Sequence, residues 1–226
     1  HAPPAPRDHL QTIDEAERAD HRRRVDRRHH ADQGDAADHD QAEGEAAVRD
    51  AFPGATILRP SIVFGPEDNF FNRFASMARF LPLLPLIGGG QTKFQPVFAG
   101  DVAAAVHAAL TNDNAAGRTF ELGGPAVYTF RELLEMILRI TERRRALVDH
   151  PFAIAKLNAY VLQFAPAPMT LTSDQVEMLK SDNIVGAGGP DCGTFADLGI
   201  APASPEAIVP TYLVRFRRAG QFATAR

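Results

Sequence analysis

The chain has little cysteine and no long apolar runs. Its single cysteine, Cys192, cannot form a disulfide within the chain, which excludes a disulfide framework and indicates a reducing compartment. No apolar run approaches the roughly 18 residues that a membrane-spanning helix needs, and the first residues contain no apolar signal-peptide core. We therefore expect neither a secreted disulfide scaffold nor an integral membrane protein.

An excess of basic charge is also missing. The 226 residues carry 24 Lys and Arg against 28 Asp and Glu, which gives a formal net charge of −4. The arginines between Arg22 and Arg28 do cluster, but Asp20, Asp26 and Asp32 stand among them, so the net field is weak. A dedicated nucleic-acid-binding domain is expected to be basic. The sequence therefore predicts no nucleic-acid partner.

Large apolar side chains are nearly absent from residues 1–42. Leu10, Ile13 and Val25 stand against seven arginines, ten acidic residues and six of the eight histidines. Such a segment cannot bury enough apolar surface to offset the entropy lost on ordering. We expect residues 1–41 to be disordered. A divalent-metal site of His21, His29 and His30 with Asp26 and Asp32 is the alternative to plain solvated side chains, and we assign no metal ligand.

After residue 41 the composition changes, and strand and turn patterns begin. Residues 56–59 and 62–64 form an apolar, β-branched run that Pro60 interrupts. A proline cannot donate to a central ladder, so the strand is expected to end near Arg59.

The residues after this strand are candidates for the floor of a binding site. Ligands of open α/β sheets bind outside the carboxyl ends of the strands. The candidates are Pro60, Ser61, Ile62 and Val63. A buried strand with a packing proline is the alternative interpretation.

Periodicity and capping signals predict further elements along the chain. Helices are expected over Gln41–Phe52 and Asn69–Leu81, and a strand around Phe94–Phe98. Asp101 is expected to cap an alanine-rich helix that ends near Leu110. The remaining predictions are a strand over Thr119–Leu122, a helix opened by a capping box of Thr129 and Glu132, an apolar helix over Phe152–Phe164, a capping box of Thr172 and Gln175, and a last helix opened by Ser204-Pro205-Glu206.

The order of these motifs resembles a known family. LRPSIVFGPED, KFQPVFAGDVAAAVHAAL, FELGGP and YTFRELLE are similar to extended short-chain dehydrogenases of the epimerase/dehydratase kind. More narrowly, FGPEDNFFNRF, KFQPV, YTFRELLE, DQVEMLKSDN and PTYLVRFRRAGQF resemble the bacterial relatives of the nucleotide-binding accessory subunit of respiratory complex I. The similarity runs from roughly Ala42 to Phe222, and FGPEDNFFNRF followed by KFQPV is more specific than a generic Rossmann pattern.

The resemblance implies a fold and a domain division. The fold is α/β, with a partial Rossmann-like parallel sheet, whose front half is missing or scrambled, and a small, mostly helical C-terminal lobe. Residues 42–126 would be the back half of an NAD(P)-binding domain with interleaved elements of the C-terminal lobe, and residues 127–226 would be that lobe.

The resemblance also implies a cofactor, a site and partners. The cofactor would be NAD(P)H, with Pro60 to Val63 beside the nicotinamide and with Asn72 and Arg73 lining the outer cleft. The partners would be complex I subunits or the membrane surface, and the location would be the cytoplasm or the inner face of the cytoplasmic membrane. We expect the contact surface to combine the apolar 152–164 helix with Arg215, Arg217 and Arg218.

Two signatures of the family are absent from this chain. The phosphate-binding GxxGxxG has no counterpart, since Gly34 is the only glycine before Gly44. The Tyr-x-x-x-Lys pair is missing as well, and Ala37 and Gln41 occupy its places. In that pair the lysine lowers the pKa of the tyrosine, so that the phenol can exchange a proton during hydride transfer. One hypothesis is that residues 1–41 come from a shifted reading frame or a mis-joined sequence.

Two functions remain open from the sequence. The first is a non-catalytic NAD(P)-binding-family protein that resembles the complex I accessory subunit. The second is a truncated NAD(P)-dependent epimerase or reductase that acts on a nucleotide sugar or a related small molecule. Both keep the same fold, and they differ in whether a catalytic half exists.

Overall fold

The computed structural model describes residues 41–152, 179–186, 192–218 and 220. The chain divides after Pro53, and helix α1, residues 41–51, precedes that division. Some predictions fall outside the described residues: most of the 152–164 helix, the capping box of Thr172 and Gln175, and the disordered, histidine-rich segment up to residue 40. Gln41, the last residue predicted to be disordered, begins helix α1 instead. The remaining elements belong to the unit that begins at Gly54.

Short parallel strands form the sheet portion of this unit. Strand β1, Ile57–Pro60, pairs in parallel with β6, Thr119–Leu122, and β2, Val63–Phe64, pairs in parallel with β5, Val97–Phe98. Strand β3, Leu83–Ile87, pairs in parallel with β8, Ala146–His150. The antiparallel pair is β4, Lys93–Phe94, with β7, Tyr128–Thr129.

The predicted strand over 94–98 is wrong as a single element. The structure has β4 before and β5 after Gln95 and Pro96. Pro96 has no N–H for a ladder, and the Gln95 amide donates outside the strand pairs to the carbonyl of Asn183, 2.9 Å away. The first strand, by contrast, ends one residue after the predicted Arg59, with Pro60 opposite Leu122.

Helices pack around these strands. They are α2, Phe70–Phe80, α3, Ala99–Thr111, α4, Phe130–Ile140, and α5, Pro205–Leu213. The prediction that Asp101 caps α3 is wrong, because the helix begins two residues earlier at Ala99. Asp101 lies in the first turn, and its Oδ2 accepts the amide of Ala203 at 2.7 Å.

Two apolar clusters hold the unit together. The larger one joins α2, β3, α4 and α5, and its fully buried aromatic side chains are Phe64, Phe71, Phe94 and Phe130. The smaller one lies against β6 and α3 and includes Val97, Ala105, Phe120 and Leu122. Parallel strands with a helical lobe confirm the predicted α/β class and its partial Rossmann-like sheet.

Helix α4 is defined at both ends by local hydrogen bonds. At its start the capping box forms as predicted: the Glu132 amide donates to Thr129 Oγ1 at 3.2 Å, and the Thr129 amide donates to Glu132 Oε2 at 2.7 Å. At its end Glu142 takes a φ of 54°. The amides of Glu142 and Arg143 return to the carbonyls of Arg139 and Leu138, which is the Schellman pattern.

Replacing Thr129 by alanine tests the capping box. Thr129→Ala should lower the free energy of unfolding by about 1 kcal/mol, because the Glu132 amide loses its acceptor. Thr129→Ser keeps a hydroxyl and should cost only a few tenths of that, so it is the matched control. Urea unfolding of both variants measures the difference, and equal losses would contradict this role for the hydroxyl.

Candidate functional site

A cavity of about 430 Å³ lies beyond the end of β1, against the first turns of α2. Its wall is largely apolar, and Ile62, Val63, Phe70, Phe74, Phe94 and Leu179 supply this part. Its polar side chains are Glu67, Asp68, Asn69 and Arg73. A mostly apolar cleft with a few convergent polar groups is the usual form of a small-molecule site.

The four predicted floor residues divide between the cavity and the sheet. Ile62 and Val63 line the cavity. Pro60 ends β1, and the Ser61 amide donates to the Leu122 carbonyl at 3.0 Å, so these two residues continue the sheet edge. Ser61 is buried, and its Oγ donates to Asn183, whose carbonyl oxygen lies at 2.9 Å.

Asn183 is a positioning residue that the sequence did not reveal. Its Oδ1 accepts the amide of Ile62 at 2.8 Å, and its main chain pairs with Lys93 and Gln95. The segment around Asn183 therefore fastens the end of β1 to β4. Local sequence carries no signal for this contact, because Asn183 lies 122 positions from Ser61.

The two predicted cleft residues have different surroundings. Arg73 lines the cavity, and burial lowers the pKa of its guanidinium. Asn72 does not line the cavity: its Nδ2 donates to the carbonyls of Pro66 and Asp68, at 3.0 and 2.9 Å. Its Oδ1 accepts from Arg215 Nη2 at 2.8 Å. Arg73 thus remains a ligand-facing candidate, whereas Asn72 fixes the loop that precedes α2.

Asp68 joins this loop to the last helix. One carboxylate oxygen accepts the Phe71 amide at 2.5 Å, and the other accepts the Tyr212 hydroxyl at 2.8 Å. Burial raises the pKa of Asp68, while these hydrogen bonds act in the opposite direction. Burial and the Asp68 charge raise the pKa of Tyr212, so its phenol stays protonated and donates. This contact fixes α2 against α5 beside the cavity.

Neither tyrosine in the described ranges has the environment of a proton-transfer phenol. Tyr128 donates to Glu206 Oε2 at 2.9 Å, and burial together with that carboxylate raises its pKa to about 12. The catalytic tyrosine of extended short-chain dehydrogenases needs a nearby lysine that lowers its pKa. Tyr128 and Tyr212 both face carboxylates, and this shifts their pKa in the other direction.

The part of the chain that the structure describes holds neither a metal-binding cluster nor a membrane-spanning helix. Within them, no group of three or more His, Cys, Asp and Glu side chains could hold a metal ion. None of the helices in those same ranges has the length and apolar character needed to cross a membrane.

The fold of this unit is similar to that of a solved structure from the epimerase family. The unit has the α/β fold of the short-chain dehydrogenase/epimerase kind, with its cavity beyond the end of β1. A crystal structure of the human epimerase family protein SDR39U1 (isoform 2) with NADPH superposes with a TM-score of 0.50 and 17% identity, covering 69% of this chain and 47% of that one. At this identity the likeness shows the fold. No protein-family model matches the chain.

Two proteins related by sequence are much more similar to this chain than that structure is. The chain is 38% identical over 189 residues to the mitochondrial NADH dehydrogenase (ubiquinone) 1 alpha subcomplex subunit 9 of Arabidopsis thaliana, which covers 80% of this chain and 46% of the relative. It is 38% identical over 177 residues to the mitochondrial NADH-ubiquinone oxidoreductase 40 kDa subunit of Neurospora crassa, covering 78% and 45%. The chain is homologous to these mitochondrial complex I subunits over about four fifths of its own length.

These matches cover only part of each relative, and the relatives come from eukaryotes. The chain spans about half the length of the curated relatives it matches. Both relatives are eukaryotic and mitochondrial, whereas the sequence predicted a bacterial protein. That origin stays a prediction.

Replacing Tyr212 by phenylalanine tests the contact between α2 and α5. We expect Tyr212→Phe to lower the free energy of unfolding by about 1.5–3 kcal/mol at neutral pH, because a half-buried carboxylate loses a donor. The ordinary pKa of Asp68 is 3.8, and the folded value is raised. A raised folded pKa means that the contribution of Asp68 to stability is largest below pH 3.8 and is lost as the pH rises through the folded pKa.

Losing the Tyr212 hydroxyl should raise the folded pKa of Asp68 further. The cost of Tyr212→Phe should therefore shrink below pH 3.8, where Asp68 is protonated in both proteins. Tyr128→Phe is the matched control, because its Glu206 partner is exposed and the loss should be smaller. Urea unfolding at neutral and acid pH measures both variants. A cost that is equal at the two pH values would contradict the ionised Asp68 acceptor.

Proposed function

We propose that this chain acts as an accessory subunit of respiratory complex I and that it has no dehydrogenase or epimerase turnover of its own. The observation that carries the proposal is the 38% identity to complex I subunits over four fifths of the chain. The missing Tyr-x-x-x-Lys pair supports the non-catalytic part, as do the carboxylate partners of Tyr128 and Tyr212. The subunit contributes a folded surface to the complex instead of a proton-transfer site.

The cavity is the proposed place for the nicotinamide end of NAD(P)H. Ile62 and Val63 supply apolar contacts there, and Arg73 supplies a cationic donor. A glycine turn and a helix N-terminus normally hold the pyrophosphate, and GxxGxxG is absent from the sequence. We therefore propose feeble dinucleotide affinity.

The proposed location follows the sequence resemblance. We place the protein in a bacterial cytoplasm, peripheral to the inner face of the cytoplasmic membrane, where complex I subunits would be its neighbours. The mitochondrial relatives support the association with complex I. The bacterial setting rests on the resemblance of FGPEDNFFNRF and KFQPV alone.

A truncated epimerase or reductase is the second candidate. The polar part of the cavity favours it, since Arg73 with Glu67 and Asn69 could hold a phosphorylated sugar by charge and hydrogen bonds. Its chemistry would require a catalytic half that supplies the tyrosine and lysine.

Co-purification tests the accessory-subunit proposal. The affinity-tagged chain, expressed in cells that contain complex I, should migrate with the NADH:quinone reductase activity on a native gel after mild detergent extraction. Complex I core subunits should be present in the eluate, and an unrelated tagged Rossmann protein of similar size is the control. A chain that elutes alone, or with no more core subunit than the control, would contradict the proposal.

A further inference from the structure

Three helix ends converge on one side of the unit, and arginines cap them. Arg145 Nε donates to the Ala78 carbonyl in the last turn of α2, at 2.8 Å. Arg217 Nε donates to the carbonyl of Ile140, the last residue of α4, at 2.9 Å. Arg143 Nε donates to the carbonyl of Phe216 at 2.9 Å, and Phe216 is the last residue of the one-turn 3-10 helix Val214–Phe216 that follows α5. These bonds satisfy helix-end carbonyls and place positive charge at the negative ends of the dipoles.

These caps bring positive charges close together with little neutralisation. The pKa of Arg143 is lowered by burial and then by the nearby charges of Arg145, Arg79 and Arg218. A carbonyl acceptor does not cancel a guanidinium charge. The carboxylate that pairs at this place is Glu142, whose Oε1 lies 3.1 Å from Arg217 Nη1.

Three exposed arginines of this region are not needed for the caps. They are Arg79, Arg144 and Arg218, and no carboxylate in the described ranges lies within ion-pair distance of them. Helix capping accounts for the positions of Arg143, Arg145 and Arg217 but gives no structural role to Arg79, Arg144 and Arg218. Arg79 and Arg218 lie close enough to Arg143 for their charges to lower its pKa, and Arg144 is its neighbour in the chain. A negatively charged partner would relieve this repulsion.

Two exposed apolar side chains lie next to these arginines. Phe80, the last residue of α2, is 60% exposed, and the Arg79 guanidinium lies over its ring at 5.5 Å. Leu83 opens β3, is 45% exposed and pairs with Ala146, the residue after Arg145. We call Arg79, Phe80, Leu83, Arg144 and Arg218 the arginine patch.

We propose that the arginine patch docks on the surface of a bilayer that contains anionic lipid. Arginine charge attracts lipid phosphates, and Phe80 and Leu83 can enter the headgroup boundary, where exposed apolar side chains gain burial. An acidic protein surface would use the charges but would give the two apolar side chains no such layer. The proposal sharpens the peripheral membrane location proposed above, and it rests on that location for the choice of a bilayer as partner.

The proposal changes the surface expected from the sequence. Arg215 donates to Asn72 and stacks on Phe216, and Arg217 pairs with Glu142, so both have structural partners. Of the three arginines predicted to meet a partner, Arg218 alone joins the arginine patch. Arg79 and Arg144 join it from distant parts of the sequence.

Vesicle flotation of the full chain tests the proposal. The protein should bind vesicles of equal parts phosphatidylglycerol and phosphatidylcholine, and should not bind pure phosphatidylcholine. The combined variant Arg79→Gln, Arg144→Gln and Arg218→Gln should lose roughly a hundredfold in partition coefficient, because each arginine near an anionic surface contributes about fivefold. Phe80→Ser should weaken binding to the mixed vesicles while leaving its salt dependence unchanged.

A charge-matched control separates the patch from net charge. Lys93→Gln, Arg118→Gln and Arg131→Gln remove the same charge from β4, from the residue before β6 and from the first turn of α4, and should leave vesicle binding unchanged. Unfolding midpoints check that both combined variants fold. Neither removes a helix cap, and the exposed ion pairs that the control loses, Arg118 with Asp197 and Arg131 with Asp149, should contribute little.

Equal losses in the two combined variants, or equal binding to both vesicle types, would overturn the proposal. So would a patch variant that binds vesicles normally but no longer co-purifies with complex I, because the partner would then be an acidic protein surface. Vesicle binding lost from the patch variant in a chain that never co-purifies with complex I would support the patch and contradict only the accessory-subunit proposal.

Discussion

The hydrogen bond from Tyr212 to Asp68 is the contact on which the position of α2 depends. Asp68 accepts from Tyr212 and from the first turn of α2, so one carboxylate fixes the helix both to its preceding loop and to α5. The first turns of α2 form a wall of the cavity, and its last turn carries Arg79 and Phe80. The candidate site and the arginine patch therefore share one helix, whose two ends are held by polar contacts.

Apolar packing against α4 and β4 also holds α2 in place. Phe70 and Phe74 of α2 meet the Phe130 ring with centroids 6.0 and 5.3 Å away, and Phe94 lies 6.0 Å from Phe70. Most of these contacts are edge-on, the geometry that aromatic quadrupoles favour. The same rings that line the cavity also belong to the large cluster, so filling or emptying the cavity should affect the stability of the core.

Local signals in the sequence predicted local structure well. The strand over Thr119–Leu122 has the predicted bounds, and the Thr129 and Glu132 capping box forms as expected, because both depend on neighbours along the chain. Asp101 misled the prediction, since its side chain accepts an amide 102 positions away instead of capping α3. Likewise, Gln95 and Pro96 split a strand that looked continuous, because the partner of Gln95 is Asn183.

The position of the cavity was predictable from the sequence, but the contacts that build it were not. The end of the strand predicted Ile62 and Val63, and the family resemblance predicted Arg73. All three line the cavity. Asn183 and Tyr212, which fasten the loops around it, could not be found, because each acts across more than 100 residues of chain. The convergence of three helix ends, and with it the arginine patch, is likewise a product of tertiary packing.

The proposed function makes the apolar cavity beyond β1 the place of the nicotinamide end, in a sequence that contains no GxxGxxG to hold the pyrophosphate. Calorimetric titration of the purified full chain with NADH and NADPH tests this proposal most directly. We expect heats too small to saturate even at millimolar cofactor, because the contacts that remain are those around Ile62, Val63 and Arg73. Saturable binding at micromolar concentration would contradict the proposal, since it would require a phosphate site elsewhere in this chain.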